Sequence, residues 1–275
     1  MEQFSTLNQN KDYVISLQQE VGVKADGVYG PNTHCAVRNY YGMPIIIHMG
    51  KVVPIDSPLE IDWSAPLYEL DDGTKNWYKR KSDPSTICVH WGGLNSRHCY
   101  NVFNMARGRH VSSHFLIGKN HKTEEYEILQ CLDTGLAAYH AGKFNKYSIG
   151  IDICMHPEDK YWEKTKRWYP DAELQVCKIP DNRVKGRKLV MIGDEFADLC
   201  RQFLQSLREA TDLAEKPVCE TLEVMPVKEA TQYSIVGHHN ISAKKWDVIP
   251  WAEKLYYGLD EEYNLIYLLF YIITI

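Results

Sequence analysis

The sequence predicts an α/β protein: a mixed central sheet flanked by helices and preceded by a small helical module. Three observations carry that expectation. Short β-branched, apolar runs occur at Thr86-Ile87-Cys88-Val89-His90, Tyr147-Ser148-Ile149-Gly150-Ile151-Asp152-Ile153 and Tyr233-Ser234-Ile235-Val236, each with the length and composition of a buried strand. Between Asp194 and Glu209, Phe196, Leu199, Cys200, Phe203, Leu204 and Leu207 recur at helical spacing, which predicts a long helix packed across the sheet. Near the N-terminus, two helix-like segments flank a Gly-rich turn.

In chain order, Tyr13 to Val23 has apolar residues at helical spacing and closes at a glycine stop. The turn pair Asp26-Gly27-Val28-Tyr29-Gly30-Pro31 comes next. A second helix is expected over Asn32 to Tyr40, with Pro31 at its start and Asn32 as a candidate N-cap. So small a unit buries too little apolar surface to be comfortable unaided, so it is expected to pack on the adjoining segment or on the main domain.

Residues 43–82 contain Pro44, Pro54, Pro58, Pro66 and the apolar run Ile45-Ile46-Ile47, and read as a linker with local structure. Their basic cluster Lys79-Arg80-Lys81 is expected to be a solvated surface patch. An insertion between Cys154 and Val190 carries Tyr161, Trp162, Trp168 and Tyr169, which either flank a binding groove or pack on one another. The tail Asn264 to Ile275 is apolar but shorter than the about 20 residues of a bilayer span. It is expected to dock on the protein, with contact to a membrane surface as the alternative.

The 275 residues suffice for one full domain plus a module, and 44% hydrophobic with 24% charged residues is ordinary for a globular protein. A net charge of -5 argues against nucleic acid as the main partner. The eight cysteines include no C-x-x-C pair, so free thiols in a reducing cytosol are expected, not a disulfide framework or zinc finger. The first residues have neither a positive flank nor an apolar core, so no standard signal peptide is expected.

The chemistry concentrates in Gly237-His238-His239-Asn240-Ile241-Ser242-Ala243-Lys244-Lys245-Trp246-Asp247, a loop after a strand that offers imidazole, amine and carboxylate. A catalytic zinc takes three protein ligands and keeps one position open, so this loop needs one more donor. His90, at the exit of its strand, is the natural one. Asp152 interrupts an apolar run where a carboxylate is costly to bury alone. It reads as a general base beside a metal-bound water, or as a strand-end aspartate in solvent or a salt bridge.

These residues resemble a family. Ile87-Cys88-Val89-His90, Val111-Ser112-Ser113-His114-Phe115-Leu116-Ile117, Ala138-Tyr139-His140-Ala141-Gly142, Ser148-Ile149-Gly150-Ile151-Asp152 and Gly237 through Asp247 look, in that order, like the zinc-dependent N-acetylmuramoyl-L-alanine amidases. That fold is shared by phage amidase endolysins, bacterial autolysins and peptidoglycan recognition proteins. The resemblance implies zinc held by His90, His238 and Asp247, with His239 the rival of His238. It implies that Lys245, or Lys244 in its place, polarises the scissile carbonyl and that Asp152 takes the proton of the attacking water. His140 and His114 would line the groove, a structural role within the sheet being the alternative for His114. The chain departs from the pattern at three points: Asp152 stands where glutamate is usual, Ser113 stands where some members carry an assisting tyrosine, and Val248-Ile249-Pro250-Trp251 replaces a Pro-Gly after the last ligand.

Leu17-Gln18, Asp26-Gly27-Val28-Tyr29-Gly30, Thr33 and Ala36-Val37 resemble the small helical peptidoglycan-binding module found beside many wall hydrolases. The implied organisation is a peptidoglycan-binding module over 1–42, a linker over 43–82, a zinc amidase domain over 83–260 and the apolar tail over 261–275. The implied partner is bacterial peptidoglycan, met by a monomer. The implied setting is a phage endolysin made in the host cytoplasm and released to the cell wall at lysis. Two other functions stay open: a recognition protein that binds without cutting, and a zinc hydrolase that cuts within the stem peptide.

Overall fold

The computed structural model describes residues 5–63, 70, 73–105 and 110–259. The apolar tail 264–275 lies outside the described residues, and none of the described helices is long and apolar enough to cross a membrane.

The chain opens with three helices, α1 (Ser5–Asn8), α2 (Lys11–Glu20) and α3 (Pro31–Tyr41). Asn10 caps α2 through its side chain, which accepts from the Tyr13 N–H. At α3 the cap is Gly30 and Pro31 is the first helical residue, so Asn32 lies inside the helix and caps nothing. Proline suits that first position because its missing N–H would have had no partner there. Gln18 explains why this unit coheres. Its buried carboxamide accepts from the Gly27 N–H at 2.9 Å and donates toward the Val28 carbonyl and the Thr33 hydroxyl, so one side chain joins α2, the turn and α3.

The segment expected as a linker is instead part of the folded body. Its elements are β1 (Ile45–His48), β2 (Lys51–Pro54), β3 (Ile61–Asp62) and β4 (Trp77–Lys79). β1 and β2 form an antiparallel hairpin that rests against the helical unit, with the Tyr13 hydroxyl accepting from the Val52 N–H at 2.9 Å. Leu7, Val14, Leu17, Tyr29 and Val37 join Ile45, Ile46, Ile47 and the sheet residues in one apolar cluster. An isolated unit of this size would expose those side chains, so burial in a shared core is the expected economy.

The remaining elements are β5 (Thr86–Trp91), α4 (Ser96–Asn104), β6 (Phe115–Lys119), β7 (Tyr126–Gln130), β8 (Leu136–Ala138), β9 (Ser148–Ile153), α5 (Trp162–Trp168), β10 (Glu173–Val176), β11 (Lys188–Met191), α6 (Asp194–Ala210), α7 (Val227–Ala230), β12 (Ile235–Gly237), α8 (His238–Ile241) and α9 (Ala252–Leu255). The central sheet has the order β12-β5-β9-β6-β7-β3; β7 runs antiparallel to β6, and the other pairs are parallel. This is the mixed α/β sheet flanked by helices that the sequence predicts.

Strand alternation divides the sheet's side chains between two faces. Ile87, Val89, Ile149, Ile151 and Phe115 share a cluster with Phe196, Phe203, Leu204 and Leu207 of α6. The Phe115 and Phe203 rings meet edge-on at 5.4 Å. Cys88 and Val236 point the other way, into a smaller cluster with Phe144 and Met225. That second face carries His90 and Asp152 at its upper end.

The basic triplet is split by the same alternation. Lys79 and Lys81 are exposed, but Arg80 is buried, correcting the expectation of a solvated patch. Its guanidinium donates to the carbonyls of Thr134, Asn145, Leu136 and Ser148 and thereby fastens the β8 turn to β9. A guanidinium offers five donors in a fixed fork, so several converging carbonyls can satisfy it where an ammonium could not. All eight cysteines are unpaired; Cys35 is exposed and the rest are buried.

Candidate metal centre and its cavity

Three adjacent parallel strands bring the chemistry together. In register, Gly237 of β12 pairs with Val89, and His90 of β5 pairs with Asp152 of β9. His238 is the residue after Gly237, so His238, His90 and Asp152 form a row at the C-terminal ends of β12, β5 and β9, where open α/β sheets place their ligands. The loop after α8 folds Asp247 back onto the row.

The donor atoms form a tight triangle. His90 Nδ1 lies 3.0 Å from His238 Nδ1, His238 Nδ1 lies 3.1 Å from Asp247 Oδ2, and His90 Nδ1 lies 3.5 Å from the same oxygen. Ligands about 2.0–2.2 Å from a tetrahedral zinc stand about 3.3 Å apart, so the triangle has the right size for three corners of such a site.

Hydrogen bonding fixes which nitrogen of His90 carries the proton. The Ser148 hydroxyl donates to the Phe144 carbonyl at 3.0 Å, leaving its oxygen to accept from His140 Nε2–H at 3.1 Å. His140 Nδ1 is then an acceptor, facing His90 Nε2 at 2.9 Å. His90 therefore donates from Nε2 and turns the Nδ1 lone pair toward His238 and Asp247. Two imidazole nitrogens and a carboxylate converging this closely fit a cation among them.

The electrostatics agree. Burial, with His238 beside it, lowers the His90 pKa to about 4 and keeps the ring neutral, as a ligand must be. Burial works against the Asp247 carboxylate, but its close contacts with His238 and His90 outweigh this and hold the group well below the carboxylate range. Burial pushes Asp152 up to about 7; the Ser113 hydroxyl pulls it down and Asp247 adds to the rise.

The structure separates the sequence candidates. His239 is buried and turned away from the triangle, its Nδ1–H donating to the Asp247 backbone carbonyl at 2.8 Å, so it positions the loop while His238 faces the site. Lys245 lines the cavity and Lys244 does not. His140 lies in the cavity wall, and Gly150 makes room for it: a Cβ there would come within 2.7 Å of the imidazole. His114 does not line the groove. It is sealed within the sheet, with Nε2 on the Leu136 carbonyl at 2.9 Å and Nδ1 accepting from the Gly150 N–H at 2.8 Å, which corrects the expectation of a substrate contact.

Above the triangle opens a cavity of about 430 Å³. It is lined by His90, His238, Asp247 and Asp152, by His98, Cys99, Val102 and Phe103 of α4, and by Trp91, His156 and Tyr161. A second donor group, Cys88 with His90 and His140, shares His90. Burial raises the Cys88 thiol well above its usual pKa, and Cys88 is not in the cavity wall, so the ionised carboxylate makes the His90, His238 and Asp247 set the better match.

Residues 80–179 match the N-acetylmuramoyl-L-alanine amidase family. The matched segment contains β5, β6 and β9 with His90, His114, His140 and Asp152, and it stops before His238, Lys245 and Asp247. No curated protein and no solved structure matches the chain.

Several residues that support the site escaped the sequence reading. Within the 154–190 insertion, Asp181 holds Arg183, whose guanidinium donates to the carbonyls of His239 at 2.9 Å, Lys245 at 3.1 Å and Leu222 at 2.6 Å. Arg187 stacks over the Trp246 ring at 4.3 Å. The insertion thus grips the loop that carries Lys245 and Asp247. Its own aromatics divide: Tyr161 reaches the cavity, while Tyr169 is buried, donating to the Cys154 carbonyl. The spacing Asp181-x-Arg183 was the one available signal, and nothing in it names the loop it holds.

Proposed function

We propose that this protein is a zinc-dependent N-acetylmuramoyl-L-alanine amidase that hydrolyses the amide joining N-acetylmuramic acid to L-alanine in peptidoglycan. The observation that carries the reading is the triangle of His90, His238 and Asp247 lining the cavity, one strand away from Asp152 in a domain of the amidase family. A zinc ion on those residues supplies Lewis acidity, bringing the pKa of water at its open position toward about 7 and polarising the scissile carbonyl.

The chain's own groups do the rest. Asp152, held near pKa 7 by burial, accepts the proton of the attacking water and returns it to the departing L-alanine amine. The Lys245 ammonium faces the oxyanion as it develops. His140 keeps the proton of His90 on Nε2, so that His90 Nδ1 stays directed at the metal. Asp152 is one methylene shorter than the usual glutamate and pairs in register with His90 on the neighbouring strand.

The biological setting we infer is a phage endolysin, made in the host cytoplasm and acting on the wall after release. The support is an amidase domain joined to a helical unit that resembles a wall-binding module. Digestion of purified peptidoglycan by zinc-loaded protein is expected to expose new L-alanine amino termini and no new reducing sugar ends, and His90→Ala is expected to abolish them. New ends elsewhere in the stem peptide would overturn the bond assignment. For the setting, expression in a host is expected to cause lysis only with a co-expressed membrane-permeabilising protein.

A further inference from the structure

Two thiols meet beside the turn Gly92-Gly93 that follows β5. Cys99 belongs to α4, and Cys154 is the residue after β9; both are buried and unpaired. Their side chains are in hydrogen-bond contact. Gly92 shows how closely the sulfurs crowd, since a Cβ there would come within 2.6 Å of Cys99 Sγ and 3.4 Å of Cys154 Sγ. The Gly93 N–H donates to Cys99 Sγ, and the Cys154 thiol donates to the Asp152 carbonyl at 3.5 Å. The pair therefore sits where α4 meets the chain segments that leave His90 and Asp152.

Access separates Cys99 from the other buried cysteines. It is the single cysteine among the described residues lining the cavity, so a small molecule that enters can reach its sulfur. Cys154 is sealed, in contact with Cys99 but not with solvent. Cys88, Cys200 and Cys219 are fully buried in apolar clusters and have no such outlet. An accessible thiol with a second thiol against it is the arrangement in which a sulfenic acid, once formed, condenses to a disulfide.

We propose that Cys99 and Cys154 form a redox modification site: a small hydroperoxide entering the cavity oxidises Cys99, and Cys154 closes a disulfide that staples α4 to the end of β9. In the first step Cys99 sulfur attacks a peroxide oxygen and the O–O bond breaks. Cys99 becomes a sulfenic acid, and the rest of the peroxide leaves as water or an alcohol. In the second step Cys154 sulfur attacks Cys99 sulfur and the S–O bond breaks. The departing hydroxyl takes the Cys154 proton and leaves as water, so two electrons in all pass from the dithiol to the peroxide. The inference concerns these thiols alone and stands whether or not the amidase reading holds.

The test is a non-reducing peptide map of the wild-type protein after titration with hydrogen peroxide. A Cys99–Cys154 cross-linked peptide, lighter by two hydrogens and released by dithiothreitol, is expected. Hydrogen exchange of the amides over 96–104 is expected to slow about tenfold on oxidation and to recover on reduction. In Cys154→Ala the Cys99 sulfenic acid should persist and be trapped by a cyclic dione, and the exchange rates should not respond to peroxide. Cys131→Ala should keep the cross-link, although Cys131 is the third thiol of the neighbourhood. A Cys99 that stays a thiol at peroxide levels that oxidise the exposed Cys35, or a cross-link from Cys99 to Cys131, would overturn the site. So would equal dione trapping in wild type and Cys154→Ala, because Cys154 would then resolve nothing. The wild-type map decides the pairing even if a variant fails to fold.

Discussion

The side-chain amide of Gln130 grips the backbone of Ile47 from both sides, accepting from its N–H at 3.0 Å and donating to its carbonyl at 2.7 Å. Gln130 ends β7, so its carboxamide acts as one further peptide group and ties the β1–β2 hairpin to the sheet. Asp133 and Thr134 reinforce the joint through the Gly50 N–H and His48 Nδ1. Gln130→Ala is expected to cost about 2–3 kcal/mol, two buried hydrogen bonds, and to speed hydrogen exchange of the amides over 45–54. Unchanged protection of that hairpin would show that apolar packing alone holds it.

Arg183 is expected to govern metal retention without touching the metal. It fixes the carbonyls of His239 and Lys245, which flank the turn leading to Asp247. Arg183→Ala should weaken zinc binding about 10–100-fold in competition with a chelator, the range seen when a ligand loses its supporting contact. Arg183→Lys should fall between. Equal affinity in all three proteins would mean that the loop is held by Trp246 and its neighbours.

Acid should destabilise the metal-free protein through its buried histidines. An unfolded His114 takes up a proton near pH 6.5, whereas burial, with Arg80 beside it, lowers the folded value to about 3. Between those limits the unfolded chain binds more protons. For this group stability is flat above about pH 6.5 and falls as pH drops toward 3, by up to about 1.4 kcal/mol per pH unit, whereas Asp152, raised to about 7 by burial, gives a slope of the opposite sign between about pH 7 and 3.9. His90 and His239, both lowered to about 4 chiefly by burial, add slopes of the same sign as His114. Denaturant midpoints across this range and the His114 ring signals in NMR test the account; a His114 that titrates near 6.5 would sink it.

Asp152 separates proton transfer from metal binding. Asp152→Asn keeps the size of the side chain and removes the base, so kcat is expected to fall about 10²–10⁴-fold while zinc content stays at wild-type level. A parallel loss of zinc would make Asp152 part of the ligand sphere.

Much of this was legible in the sequence. β5, β9 and β12 were visible as β-branched runs because the sheet is covered on both faces and its strands need no polar alternation. α6 was visible because it buries one stripe. His90, His238 and Asp247 were identified by family resemblance, and the geometry brings their donor atoms together. The failures share a cause. Arg80, Gln130 and Arg183 are long polar side chains whose partners are backbone carbonyls and amides far away in sequence, and backbone groups leave no trace in residue spelling. The proline-rich stretch 43–82 read as a linker because its strands are only two to four residues long, too short to show a period. His114 carried the same motif letters whether sealed or exposed, and only the position of Gly150 decides it.

The two histidines that face each other across the triangle stand 148 positions apart, and Asp247 comes nine residues after the second. A ribosome must therefore have passed Asp247 before the donors can meet. A chain interrupted after the family-matched segment would hold only one of the three donors and would also lack α6, which covers the sheet. Assembly of the centre thus reports on completeness: premature products and proteolytic fragments would be inert, and a cell making this protein would be exposed to its chemistry only from full-length copies.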